Sequence, residues 1–215
     1  MQELTGISFI DLTDDQHQQL EAFEEQLLRF NQRVNLISAE SEHHFRTQHL
    51  LHCLTLTRRD FPDGCTIVDW GTGGGLPAIP LAICYPEVTV VGVDSVGKKG
   101  RAVRTIARRL GLDNCYSWTG RAEDWDGEAH YSVSRATAPL GELWQWHRRI
   151  AIDLEGTPGD GEWQQGLLAL KGGNLSGEIE ALRAADSAVE VERFSLESLL
   201  GRNEFFGEKE IVAIG

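Results

Sequence analysis

The stretch Val68-Asp69-Trp70-Gly71-Thr72-Gly73-Gly74-Gly75-Leu76-Pro77 decides how the rest of this 215-residue chain is read. A β-branched run, Thr66 to Asp69, meets glycines at 71, 73 and 75, and an apolar helical stretch opens near Pro77. Such glycines allow a tight turn and let the backbone approach a ligand with no Cβ in the way. Proline suits a first helical turn. Strand, glycine turn and helix in that order make a ligand loop. The spacing is Gly-x-Gly-x-Gly. A dinucleotide fingerprint needs Gly-x-Gly-x-x-Gly, whose last position here is Leu76, and a Walker loop needs Gly-Lys-Ser/Thr, which is absent.

Working outward, short β-branched runs alternate with helical periods. Strands are predicted at Thr66 to Asp69, Val88 to Val93, Cys115 to Trp118, Tyr131 to Ser134 and Leu167 to Leu170, with helices near 77–85, 97–110, 139–150 and 174–185. Val189 to Phe194 and Glu210 to Ile214 could close the sheet as late, partly antiparallel strands, and 156–161 reads as an exposed loop. That alternation implies an α/β fold, a mostly parallel, doubly wound sheet with helices on both faces. Ahead of it, Thr13 and Gln16 form a capping box, and Leu20, Phe23, Leu27, Phe30 and Val34 recur at helical steps over 13–34. A second helix is predicted over 40–59, with Phe45, His49, His52 and Leu56 on one side. Residues 1–64 read as an N-terminal helical extension and 65–215 as the core of one structural domain.

Composition excludes disorder, collagen-like repeats and a disulfide scaffold. The longest apolar stretch, Leu76 to Cys84, is far short of the roughly 20 residues that span a bilayer. No secretory signal is visible and Cys53, Cys65, Cys84 and Cys115 stand too far apart for metal-ligand spacing, so a cytoplasmic protein with free thiols and no metal is expected. The net charge of −13 argues at first against nucleic acid. Residues 1–42 hold nine acids and two bases, however, and residues 173–215 nine acids and four bases, so the middle is nearly neutral. Within it Lys98, Lys99, Arg101, Arg104, Arg108 and Arg109 fall in twelve positions with no acid. Arg outnumbers Lys sixteen to four, which with the acidic surplus suits a salt-rich cytosol.

Three further elements surround the glycine loop. Asp69, two residues ahead of Gly71, fits the first motif of Rossmann-like S-adenosylmethionine (SAM) methyltransferases. Asp94 ends the next apolar run, where a carboxylate can accept from both ribose hydroxyls of an adenosine-containing cofactor, or can cap the helix that follows. Ala122 and Glu123, in Gly120-Arg121-Ala122-Glu123-Asp124-Trp125, are placed for a purine edge or form a surface turn.

The run Asp69 to Pro80, Val93-Asp94-Ser95, Gly97-Lys98-Lys99, Arg121-Ala122-Glu123, Ser134-Arg135-Ala136 and Leu170-Lys171-Gly172 resembles the glucose-inhibited division protein B family, also called RsmG. Gly6-Ile7 and Phe30 to Leu36 are similar to its N-terminal segment, so the resemblance covers nearly the whole chain. It implies a class I SAM-dependent methyltransferase that methylates N7 of a guanine in 16S ribosomal RNA of the small subunit. For SAM it implies Gly71 and Leu76 in the loop, Ala122 and Glu123 at the adenine side, and Arg135 at the end of the fourth strand. Two departures stand out: Gln48-His49-Leu50-Leu51-His52-Cys53 replaces Arg-His, two residues, Asp-Ser, and Gly74 stands where Pro is usual.

The residues suit that chemistry on their own terms. Guanine N7 carries an in-plane lone pair and no proton, so methylation needs orientation more than a general base. C5-pyrimidine methylation would want an activated cysteine, and amine methylation an Asn/Asp-Pro-Pro-aromatic loop where this chain has Ser134-Arg135-Ala136-Thr137. The site expected is Asp69, Gly71, Gly73, Gly75, Leu76, Asp94, Ala122, Glu123 and Arg135 for SAM. Arg135 either orients cofactor or base or ends the strand in a salt bridge. Lys171 either meets substrate or snorkels at the core edge. Lys98, Lys99, Arg101, Arg104 and Arg108 would pair with RNA phosphates beside the cofactor edge, or form a solvated face. Trp144, Trp146 and His147 are either stacking groups for a flipped base or half core. Two rival functions are a small-molecule methyltransferase with the same cofactor pocket, and a SAM- or RNA-binding relative whose turnover is impaired by His52-Cys53. A monomer acting on a small-subunit particle is expected.

Overall fold

The computed structural model describes residues 11–135 and 137–215. Its centre is a sheet of seven strands among the described residues: β1 (Thr66–Trp70), β2 (Thr89–Asp94), β3 (Cys115–Thr119), β4 (Tyr131–Arg135), β5 (Gly166–Gly172), β6 (Val191–Ser195) and β7 (Lys209–Ile214). The order is β3-β2-β1-β4-β5-β7-β6. The first five strands are parallel and β7 runs antiparallel between β5 and β6. The strand order therefore reverses between β1 and β4, the crevice where open α/β sheets bind ligands.

Both faces of the sheet are apolar, as a strand buried on two sides requires. On β5, Leu168 and Leu170 join one core cluster while Leu167 and Ala169 join the other. Helices α1 (Asp14–Val34), α4 (Ala78–Cys84) and α5 (Gly97–Arg109) cover the first face, and α6 (Leu140–Ile150) and α7 (Ser176–Ala185) the second. The expected capping box starts α1: Thr13 Oγ1 accepts from Gln16 N–H, and Gln16 Oε1 accepts from Thr13 N–H. The same Gln16 donates from Nε2 to the Ile83 and Cys84 carbonyls, fastening α1 to the end of α4. Leu20, Phe23 and Leu27 of α1 lie in the same cluster as Ile79 and Ile106, so the N-terminal segment shares the core.

The helix expected over 40–59 is not continuous. It comprises α2 (Ala39–Glu42), a π-helical segment Phe45–Leu51, α3 (His52–Leu54) and a 3₁₀ turn Thr55–Arg58. Phe45, His49, His52 and Leu56 do all point inward. Packing these two imidazoles and two apolar groups against the core overrides the 3.6-residue period, and π segments of this kind collect at functional sites. A short helix α8 (Leu196–Leu200), not predicted, joins β6 to the segment before β7.

Candidate cofactor cleft and active site

The glycine loop is stitched to the end of β2. Gly71 and Thr72 N–H both donate to the Val93 carbonyl, at 2.9 and 3.0 Å. Gly71 has φ +72°, and a Cβ there would overlap the side chain of Thr137, whose hydroxyl donates to the Trp70 carbonyl at 3.0 Å. Gly75, at φ +85°, would bring a Cβ within 2.6 Å of Ile79. Only glycine satisfies both the backbone twist and the close approach at these two positions.

Asp94 lies at the tip of β2 and locks this loop. Its Oδ2 accepts from Gly73 N–H at 2.9 Å and its Oδ1 from Val96 N–H at 2.8 Å. Asp94 is not the helix cap, since Val96 holds that position with no side-chain cap bond; its carboxylate instead braces the turn before α5 and still has acceptor directions on each oxygen. Asp69 is fully buried below the loop, where Oδ2 accepts from Ala78 N–H at the start of α4. Burial pushes its carboxyl up to about 7, against the opposing pull of Thr72, the Ala78 amide and Arg135. The Thr72 hydroxyl is near enough for that pull, but neither it nor Asp69 Oδ1 makes a well-formed hydrogen bond.

A cleft of about 540 Å³ opens over these strand ends. Gly71, Asp94, Ala122 and Glu123 line it together, as the sequence suggested, with Lys99 from the basic run. Ala122 and Glu123 come from a 3₁₀ turn, Ala122–Asp124, which Arg149 of α6 holds by donating to the Ala122 and Trp125 carbonyls at 2.7 Å. The opposite wall has Thr137, Pro139, Glu142 and Trp146. Trp146 packs edge-on against Trp70 with centroids 5.8 Å apart, and the Trp70 indole donates to Ser132 Oγ at 3.0 Å. Trp146, read from sequence as either a stacking group or half core, is half-buried against Trp70 at the cleft wall, and sequence reasoning missed Thr137 and Glu142. The aromatic residue was visible, but not that α6 folds back to this cleft. A hollow of about 550 Å³ beside β6 and β7, around Arg193, Lys209 and Glu210, shares no residue with the loop and has none of its nucleoside-binding features.

Other expected residues lie off the cleft. Asp69, Gly73, Gly75 and Leu76 shape the loop from beneath, and Leu76 N–H is bonded back to the Thr72 carbonyl. Arg135 turns toward the N-terminal segment, its Nη1 donating to His49 Nδ1 at 3.0 Å. Burial, then the Arg135 charge, lowers His49 to about 4, so a neutral imidazole accepts this bond. His52 is buried with its ring edge-on to Phe205 and Phe206, and Cys53 is fully buried. His52 and Cys53, which depart from the family pattern, therefore face the interior.

Lys171 ends β5 without entering the cleft. Its Nζ donates to the Ala138 carbonyl at 3.0 Å and pairs with Glu178 at 2.9 Å. The expected placement of the basic run beside the cofactor edge needs correction. Only Lys99 lines the cleft, while Lys98, Arg101, Arg104, Arg108 and Arg109 are exposed on an arc of about 140° of α5 at 100° per residue. Because α5 descends from the cleft to the far end of the sheet, Arg108 lies about 15 Å of helix rise from Lys98. Arg109 is committed to α1, bonding Gln26 and lying over the Phe30 ring. Among the described residues no helix is long and apolar enough to cross a membrane, and no three His, Cys, Asp or Glu side chains cluster as metal ligands.

A methyl donor of the SAM type fits this cleft: Gly71 lines it, and Asp94 at its edge retains acceptor directions on both oxygens for a ribose. Similarity to solved structures agrees in fold. The Aeropyrum pernix fibrillarin crystal structure with natively bound S-adenosyl-L-methionine aligns with TM-score 0.55 at 16% identity, over 77% of this chain and 74% of that one. A SAM-dependent methyltransferase from Aquifex aeolicus aligns with TM-score 0.53 at 16% identity, over 79% and 92%. The fold is that of class I SAM-dependent methyltransferases. In sequence, the chain is 71% identical over 214 residues to the ribosomal RNA small subunit methyltransferase G of Salinibacter ruber, covering 100% of this chain and 99% of that protein. The protein of the same description from Christiangramia forsetii is 38% identical over 185 residues, 85% of each. The family model GidB, described as rRNA small subunit methyltransferase G, matches residues 16–206. The chain belongs to that family.

Proposed function

We propose that this chain is a SAM-dependent methyltransferase that methylates N7 of one guanine in 16S rRNA, acting as a cytoplasmic monomer on a small-subunit particle or its precursor. The observation that carries the rRNA substrate is whole-length identity of 71% to a ribosomal RNA small subunit methyltransferase G. The choice of N7 is supported by the chemistry of the side chains present. No cysteine lines the cleft, and burial pushes the thiols of Cys53, Cys65 and Cys115 up to about 12, far from a usable thiolate. In the reaction the N7 lone pair forms the new C–N bond as the C–S bond of the sulfonium breaks, sulfur keeps that bond's electron pair, and no proton leaves the base.

In this reading Asp94 accepts from the ribose, Gly71 lines the cofactor's seat, and Ala122 and Glu123 meet the purine edge. Asp69, Gly73, Gly75 and Leu76 hold the loop in shape, and Arg135, bonded to His49 outside the cleft, braces the N-terminal segment rather than touching SAM. Lys98, Lys99, Arg101, Arg104 and Arg108 pair with phosphates. Residues 11–64 act as a helical extension packed on the 65–215 core. The test is to incubate the protein with methyl-labelled SAM and unmethylated small subunits, naked 16S rRNA, or a small-molecule extract. Transfer to small-subunit rRNA is expected. Transfer only to small molecules would overturn the reading, and SAM binding with no transfer would favour a relative impaired by His52-Cys53.

A further inference from the structure

A second cavity, about 360 Å³, adjoins the cofactor cleft. The two share the loop Thr137, Ala138 and Pro139 as a common wall, and the second is completed by Lys171, Gly172 and Glu178. The cofactor cleft stands over the carboxyl ends of β1 and β2, and this cavity over those of β4 and β5. The two hollows therefore meet along that three-residue loop. Its volume is in the range of small-ligand sites.

The two charged groups in this cavity are held but not exhausted. Lys171 Nζ has three donors, of which one goes to the Ala138 carbonyl and one to Glu178. Both bonds to Glu178, from Lys171 at 2.9 Å and from Leu140 N–H at 2.8 Å, fall on Oε2, and Oε1 takes neither. Burial opposes ionisation of Glu178, yet Lys171 and the Leu140 amide hold its carboxyl below the ordinary carboxylate range. A fixed donor therefore sits beside a fixed, ionised acceptor at the mouth of a cavity next to the methyl donor's cleft.

We propose that this cavity is the acceptor-base subsite, in which Glu178 accepts from N1–H and the 2-amino group of the target guanine while Lys171 donates to O6. The proposal rests on the guanine-N7 reading and deepens it. Guanine alone among the four RNA bases presents an acceptor followed by two donors along this edge, the complement of the Lys171–Glu178 pair. Reading that edge leaves N7 on the other side of O6 free to face the cleft. Methylation at N7 places positive charge on the ring, and a carboxylate held against N1–H stabilises that charge as it develops. Glu178 is then both a specificity and a catalytic residue.

The test combines a protein and an RNA substitution. Glu178→Gln keeps an oxygen for Leu140 N–H and presents a donor where guanine also has donors. Inosine, placed by ligation at the guanine that wild type methylates in reassembled small subunits, removes only the 2-amino group. For Glu178→Gln we expect kcat/KM for the RNA to fall about tenfold to a hundredfold, with SAM affinity and melting midpoint near wild type. Inosine should cost wild type about tenfold and cost Glu178→Gln almost nothing further. Equal inosine penalties in both proteins, or full activity of Glu178→Gln, would overturn the assignment. Should Glu178→Gln fail to fold, the wild-type inosine penalty decides: no penalty overturns it. Wild type that methylates no small subunit would overturn the underlying reading instead.

Discussion

Replacing Asp94 by Ala isolates the group on which cofactor recognition depends. The carboxylate accepts from Gly73 N–H at 2.9 Å and Val96 N–H at 2.8 Å, so it fixes both the glycine loop and the start of α5 before any ligand arrives. Alanine removes both acceptors and, in the proposed complex, those for the ribose diol. Hydrogen bonds to a charged acceptor contribute about 1.5–3 kcal/mol each, part of which water recovers because Asp94 borders the open cleft. The net expected loss in SAM binding is about 1–3 kcal/mol, or about 5-fold to 150-fold in Kd. Isothermal titration with SAM reads this directly, and a melting curve without SAM reads the separate loss of loop bracing. Unchanged SAM affinity in a folded Asp94→Ala protein would refute the role given to this residue.

Other consequences follow from individual contacts. Gly71→Ala combines a left-handed φ with overlap onto Thr137, so its denaturant midpoint should show a loss of more than about 1–2 kcal/mol; an unshifted midpoint would contradict the geometry. Reversing Arg104 and Arg108 to Glu should weaken small-subunit RNA binding and reduce the salt slope by about 2 or more, with SAM binding unchanged. An unaltered slope would make the exposed face of α5 a bystander. His147, bonded to Ser132, is lowered by burial from 6.5 to about 4. The unfolded chain therefore takes up a proton first, and the stability this histidine gives is full above pH 6.5 and is lost as pH falls toward 4. Because the other buried histidines titrate in both proteins, the stability difference between wild type and His147→Gln should shrink on going from pH 7 to 4, by on the order of 3 kcal/mol.

Much of this was legible in the sequence, and the reasons differ by element. The glycine loop was readable because positive φ and close approach leave chemistry no alternative to glycine at 71 and 75. The apolar run Leu167 to Leu170 and the capping box at Thr13 are local codes, and each matches the structure. The segment 40–59 misled because its periodicity reported which residues turn inward, while its helix type was set by partners far along the chain, Arg135 and Phe205-Phe206. Trp146 and Lys171 were visible as residues, but their placement was not: α6 brings Trp146 to the cleft wall and α7 brings Glu178 to Lys171. The basic run was visible as composition, but which of its charges reach the cleft depended on the direction in which α5 descends.

The central claim is that one guanine of small-subunit rRNA receives a methyl group on N7. Small subunits from cells with and without this protein, mapped at nucleotide resolution by a cleavage chemistry selective for 7-methylguanosine, test it most directly. The account predicts a single 7-methylguanosine in 16S rRNA that depends on the protein and returns when purified protein and SAM are added to the unmodified subunits. Identical maps, or a protein-dependent methyl on any atom other than a guanine N7, would contradict it.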